Sequence, residues 1–99
     1  MTLRHVVAWR LATDDESLRR EQARRICDDL TALGAVIPAI DDIRVGPDVV
    51  GGGNWDVALV ADFADRAALD AYLEHPDHQA VVAYVRSVVS DRVAVDFEV

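Results

Sequence analysis

Trp55-Asp56-Val57-Ala58-Leu59-Val60-Ala61-Asp62-Phe63 alternates strictly. Trp55, Val57, Leu59, Ala61 and Phe63 fall on one side, and Asp56, Ala58, Val60 and Asp62 on the other. Successive side chains of an extended chain point to opposite faces, so this stretch reads as a strand with one buried face. The opening segment, Thr2 to Leu11, repeats the pattern: Leu3, His5, Val7, Trp9 and Leu11 oppose Arg4, Val6, Ala8 and Arg10. Ile40 to Gly46 gives a shorter strand with Ile43 and Val45 on one side. Arg92 to Val99 gives a last one, in which Val93, Val95, Phe97 and Val99 alternate with Ala94, Asp96 and Glu98.

Helical spacing fills the gaps between these strands. Thr13-Asp14-Asp15-Glu16 reads as a capping box whose hydroxyl and carboxylate satisfy free N–H groups. Leu18, Ala23, Ile26, Cys27, Leu30 and Leu33 follow on one helix face, and Gly34 is placed to end the helix. Asp65 caps a second helix through Leu73, and Pro76 restarts it to about Val89. Pro47 to Asn54, with Gly51-Gly52-Gly53, reads as a hairpin loop. It is not a phosphate loop, because no Lys-Ser/Thr and no helix follow it.

The order β-α-β-β-α-β is the ferredoxin-like plan of the α+β class, with two helices over one face of a four-stranded antiparallel sheet. The bulky face, expected to meet the helices, is assigned Val7, Trp9, Val57, Leu59, Phe63, Val95 and Phe97. The other face is then Val6, Ala8, Ala58, Val60 and Ala94, framed by Arg4, Arg10, Asp56, Asp62, Arg92 and Asp96. A face left to water is normally polar throughout. The chain has no third helix to cover an apolar strip, so the expected cover is the same face of a second copy: a homodimer enclosing a shared barrel.

Composition bounds the rest. The 99 residues make one domain, 1–99, and 52% hydrophobic with 28% charged residues is a globular balance. Eighteen acidic against ten basic residues leave net charge −8, which disfavours phosphate backbones and anionic lipid surfaces; no nucleic acid and no membrane are expected as partners. No apolar run is long enough to span a bilayer, and the N-terminal stretch lacks signal-peptide anatomy. A single cysteine, Cys27, forms no internal disulfide, and a cytoplasmic location is expected.

Five segments together carry a resemblance. They are Leu3-Arg4-His5-Val6-Val7, Ile37-Pro38-Ala39-Ile40, the Trp55–Phe63 strand, Tyr72-Leu73-Glu74-His75-Pro76-Asp77-His78-Gln79, and Val95-Asp96-Phe97. Over nearly the whole chain the sequence resembles the stress-responsive dimeric α/β-barrel (Dabb) family, the Tyr-x-x-His-Pro-x-His segment being the most specific part. The resemblance implies a homodimeric barrel and a cavity between each sheet and its helices. Some plant members resemble polyketide cyclases that close a poly-β-keto chain by aldol chemistry without metal or cofactor. In those, a histidine at this helix start and a tyrosine one turn before it form the acid–base pair; His78 and Tyr72 occupy those positions, and His5 matches a first-strand histidine near the cavity. A further third-strand histidine of that pattern is absent here, where Asp56 and Val57 stand.

Read on their own chemistry, the same residues have two roles open. His78 lies in the first turn of a helix, on one face with Val81, Val82 and Val85. Burial and the helix dipole disfavour imidazolium there, so it is either a general base or a structural hydrogen-bond donor. Tyr72 is either an acid that donates to a developing enolate or a core aromatic with its hydroxyl at the rim. His5, in an apolar row, needs a partner: His78, Tyr72, a water or a ligand. His75, held extended before Pro76, reads as a cap.

Val7, Trp9, Val57, Leu59, Val81 and Val82 are the expected pocket lining, and Trp55 is a further candidate. The ligand that suits it is a small apolar or aromatic carbonyl compound. No cofactor and no metal are expected, since the histidine spacing lacks a regular chelating geometry. Three functions fit: a cofactor-free acid–base cyclase or lyase, a non-catalytic stress-associated or ligand-binding dimer, and another dimeric α/β-barrel enzyme such as a cofactor-independent monooxygenase or haem-degrading enzyme.

Overall fold

The computed structural model covers residues 1–99 and contains the four expected strands, the third starting at Val57 rather than Trp55 and the last at Val89 rather than Arg92. In chain order the elements are β1 (Leu3–Leu11), α1 (Glu16–Ala32), β2 (Asp42–Pro47), β3 (Val57–Phe63), α2 (Arg66–Glu74), α3 (Pro76–Val88) and β4 (Val89–Glu98). The strands pair antiparallel in the order β2-β3-β1-β4, the ferredoxin-like arrangement. No helix is long and apolar enough to cross a membrane.

Local chemistry sets the helix ends. The Asp15 carboxylate, not the Thr13 hydroxyl, caps α1, accepting from the Leu18 N–H at 2.9 Å. Thr13 Oγ1 instead accepts from the Asp15 N–H and fixes the capping residue. A 3₁₀ turn, Leu33–Ala35, extends α1 through Gly34. That glycine is required by proximity rather than by a left-handed backbone, since a Cβ there would lie 2.8 Å from Ile43 Cγ2. Asp65 caps α2 as expected. His75 breaks the helix: its ψ of 134° is extended, as a residue before proline must be, and its Nδ1 accepts from the Asp77 N–H to cap α3.

The helix face of the sheet packs in rows. Val45, Leu59, Val7 and Ala94 form the central one, and Ile43, Ala61, His5 and Asp96 the next. Ile26, Leu30 and Leu33 of the α1 region, with Leu69 and Tyr72 of α2 and Val85 of α3, complete the core. Leu18, at the start of α1, is exposed and takes no part.

One sequence expectation is overturned. Val95 and Phe97 do not meet the helices; Val93, Val95 and Phe97 lie on the open face, and Arg92, Ala94 and Asp96 face the helices. The cause is a bulge. Arg10 pairs with Asp91, but Leu11 pairs with Val89, leaving Ser90 without an opposite residue. Unbroken alternation from Val89, which packs on the core, would turn Val93, Val95 and Phe97 inward. The extra residue reverses the phase. Ser90 Oγ lies at the bulge with the Asp91 carboxylate at 2.9 Å and the Arg10 carbonyl at 3.3 Å as the two acceptors within reach of its single proton.

The open face is therefore bulkier than the alternation predicts. Its rows are Val60, Val6 and Val95; Ala58, Ala8 and Val93; and Asp62, Arg4 and Phe97. Val93, Val95 and Phe97 keep 48%, 57% and 45% of their surface exposed. Arg4 and Asp62 close the strip with a two-pronged ion pair at 2.8 and 3.0 Å.

Candidate functional site

The His75-Pro76 break builds the centre of the site. An uninterrupted helix would bond the Leu73 carbonyl to the Asp77 N–H, but that N–H goes to His75 Nδ1. The freed carbonyl accepts instead from His78 Nδ1 at 3.1 Å and from Gln79 Nε2 at 2.6 Å. A carbonyl oxygen only accepts, so His78 carries its proton on Nδ1 and presents a lone pair at Nε2. Burial is the main force holding the His78 pKa below the ordinary histidine value. The Leu73 hydrogen bond opposes it, and the charges of His5, Arg92 and Arg86 add to it. The imidazole is therefore neutral at pH 7.

Tyr72 lies between the two histidines. Its ring centroid is 4.2 Å from that of His78 and 6.3 Å from that of His5, with Phe63 behind at 5.1 Å. Burial pushes the phenol pKa up to about 12, against the pull of Arg92, so the hydroxyl keeps its proton across the physiological range. His5 sits below on β1, and its Nδ1 meets Asp96 Oδ1 of β4 at 2.5 Å. The carboxylate accepts, so His5 donates to it from Nδ1. His5, Tyr72 and His78 are 4%, 1% and 8% exposed. Neither Nε2 atom nor the Tyr72 hydroxyl is bonded within the chain, and none is sealed off from the cavity.

That cavity, about 500 Å³, lies between the sheet and the helices. All three expected catalytic residues line it, as do Val7, Trp9, Leu59 and Val82 of the expected pocket set. Two of that set do not. Val57 is buried in the core beneath the lining, and Val81 packs against the core from the neighbouring side of α3. Trp55 is also absent from it; its ring lies 4.8 Å from the Arg10 guanidinium, before β3 begins.

Reading along the chain missed Asp96, Arg92, Arg86 and Gln79. The first two were assigned to the wrong face because the Ser90 bulge is invisible to alternation. Arg86 was legible in principle, four residues beyond Val82 on the same side of α3. A second, larger and shallower cleft of about 1130 Å³ runs between α1 and the Pro47–Asn54 loop. Acids and arginines mix along it, and it holds no histidine or tyrosine. No three His, Cys, Asp or Glu side chains converge as metal ligands would.

The family model of the stress-responsive A/B barrel domain matches residues 3–99. No curated protein sequence matches the chain. A dimeric ferredoxin-like protein of unknown function from Thermobifida fusca YX is 33% identical, with TM-score 0.86 over 100% of this chain and 92% of that one. A dimeric protein of unknown function with a ferredoxin-like fold, from Bacteroides fragilis NCTC 9343, is 26% identical with TM-score 0.93, covering 99% and 96%. The hydroxynitrile lyase of Passiflora edulis shares the fold at 17% identity and TM-score 0.80, covering 97% and 91%.

Proposed function

The chain belongs to the stress-responsive A/B barrel domain family, and from that premise we propose that it is a homodimeric, cofactor-free acid–base enzyme acting on a small carbonyl compound. The observation that carries the reading is the cluster of His5, Tyr72 and His78 in one 500 Å³ cavity, its ring tips at Nε2 and the phenol oxygen unbonded. A pocket of this volume suits a small molecule of one or two rings.

The division of labour follows from the protonation states. His78 Nε2, neutral and unpartnered, takes a proton from carbon next to a carbonyl. The resulting enolate carbon attacks a second carbonyl carbon, forming a C–C bond as the C=O π bond opens. The Tyr72 O–H, still protonated, donates to the oxygen that gains charge. The proton on His78 then restores the phenol, so the step is balanced without cofactor. His5, oriented by Asp96, is the positioning group beneath the reacting atoms. This is aldol chemistry of the polyketide-cyclase kind.

The dimer rests on the open face. Two rows of apolar side chains, flanked by Phe97, end in a bulky β4 edge, and nothing in the chain covers them. Solved relatives with this fold are described as dimeric.

Hydrogen–deuterium exchange at the benzylic carbon of phenylacetone, followed by proton NMR, isolates the proposed proton abstraction. The native chain is expected to accelerate it, and His78→Ala to lower the rate by about 10²-fold or more. Circular dichroism should show His78→Ala folded. Acceleration unchanged in that variant removes His78 as the base. A chain that binds phenylacetone without accelerating exchange is the ligand-binding dimer instead.

A further inference from the structure

The cavity is positive in a negative protein. Of the chain's charged residues, 18 acidic against 10 basic, only Arg86 and Arg92 line the cavity, and no aspartate or glutamate does. Neither arginine has an ion-pair partner, although Arg4, Arg19, Arg25, Arg44 and Arg66 each have one. Asp96, the nearest acid on the Arg92 face of β4, is committed to His5. Arg92 stands opposite Trp9 across the β1–β4 ladder, so it lies at the β4 mouth of the cavity, beside the indole. It is close enough for its charge to act on both Tyr72 and His78.

We infer that the ligand is a carboxylic acid, held by its carboxylate at Arg92 with Arg86 beside it. This deepens the acid–base reading and rests on it. A guanidinium offers two parallel N–H donors to a carboxylate, a bidentate geometry that a lysine cannot match. The apolar body of the acid then lies over Trp9, Val7 and Leu59, which brings a carbonyl further along it toward Tyr72 and His78. The substrate class is a keto acid: one end is anchored by charge, and the other is activated by the trio.

The test compares 4-oxo-4-phenylbutanoate with its neutral amide by titration calorimetry at low salt. The acid is expected to bind at least tenfold more tightly, and added salt to weaken the acid alone. Arg92→Leu is expected to cut the acid's affinity about tenfold or more and leave the amide's unchanged. Arg92→Lys should keep part of the preference, and Arg20→Leu, in the other cleft, all of it. Arg92 is exposed on an edge strand, so these variants fold. Equal affinity for acid and amide overturns the carboxylate site while leaving the cavity reading standing. Acid preference that survives Arg86→Leu/Arg92→Leu overturns it too. Binding of neither probe overturns it, and phenylacetone exchange, whose substrate carries no charge, then decides the acid–base reading separately.

Discussion

Val95→Asp is the sharpest probe of the sheet-to-sheet dimer. Val95 ends the row Val60, Val6, Val95, and more than half of its surface is open in the lone protomer. Covering that remainder is worth roughly 1 kcal/mol, about half of what full burial of a valine brings. A carboxylate in its place loses that gain and adds a desolvation cost of at least ~2 kcal/mol, since no basic residue lies in its row on β1 or β3. A two-fold interface uses the same patch twice, so the substitution costs about 6 kcal/mol per dimer. That is roughly four powers of ten in Kd. Sedimentation velocity at about 1 μM then separates the cases, because a nanomolar dimer weakened by four powers of ten is mostly monomer at that concentration while the native chain stays paired. The native chain should sediment at twice the 10.9 kDa chain mass, and Val95→Asp at the chain mass itself. Val49→Asp is the control: Val49 is fully displayed on the Pro47–Asn54 loop, away from the sheet, and should leave the mass unchanged. A native chain that sediments as a monomer, or a Val95→Asp variant that remains a dimer, refutes the open-face argument.

Stability should fall with acid through His78. Its folded-state pKa is depressed by burial, so the unfolded chain takes up a proton as pH drops below about 6.5 while the folded chain resists it. The contribution is complete above pH 6.5 and lost below, and urea unfolding at pH 7.5 and 5.5 should show a smaller pH difference in His78→Gln than in the native chain. Gly34→Ala should cost about 1–3 kcal/mol, because the new Cβ meets a branch methyl of Ile43 that cannot swing away. Thermal unfolding should show that cost vanish in an Ile43→Ala background, and an equal loss in both backgrounds would move the cause elsewhere.

The fold was legible because its signal is local and repeated. The alternation in Leu3–Leu11 and Val57–Phe63 needs no partner to be read, and Pro76 marks its own helix start. The centre of the site was legible for the same reason: His5 shares its face with Val7 and Trp9, and His78 shares its face with Val82 and Val85. The capping of α1 was misread because Asp15 and Thr13 both qualify as caps, and only backbone geometry chooses between them. Val81 and Val57 were misplaced because helix spacing and strand parity name a side, not the depth at which the side meets a cavity.

The largest error has a different origin, and it joins the two halves of the functional reading. Alternation in β4 says that Val93, Val95 and Phe97 share a face, but is silent on which one. Bulk argues for the core, and the Ser90 bulge overrides bulk. Because side chains alternate with a period of two, one inserted residue moves every later side chain to the opposite face at once. The same insertion that puts Val93, Val95 and Phe97 on the open face therefore puts Arg92 at the cavity mouth and Asp96 against His5. Neither arrangement can be had without the other. A β4 in the opposite phase would fill the cavity with valine and phenylalanine, strip His5 of its acceptor, and lay Arg92 and Asp96 across the open face. The apolar open face and the polarity of the site are thus two consequences of one register, set by a single serine beyond the end of α3.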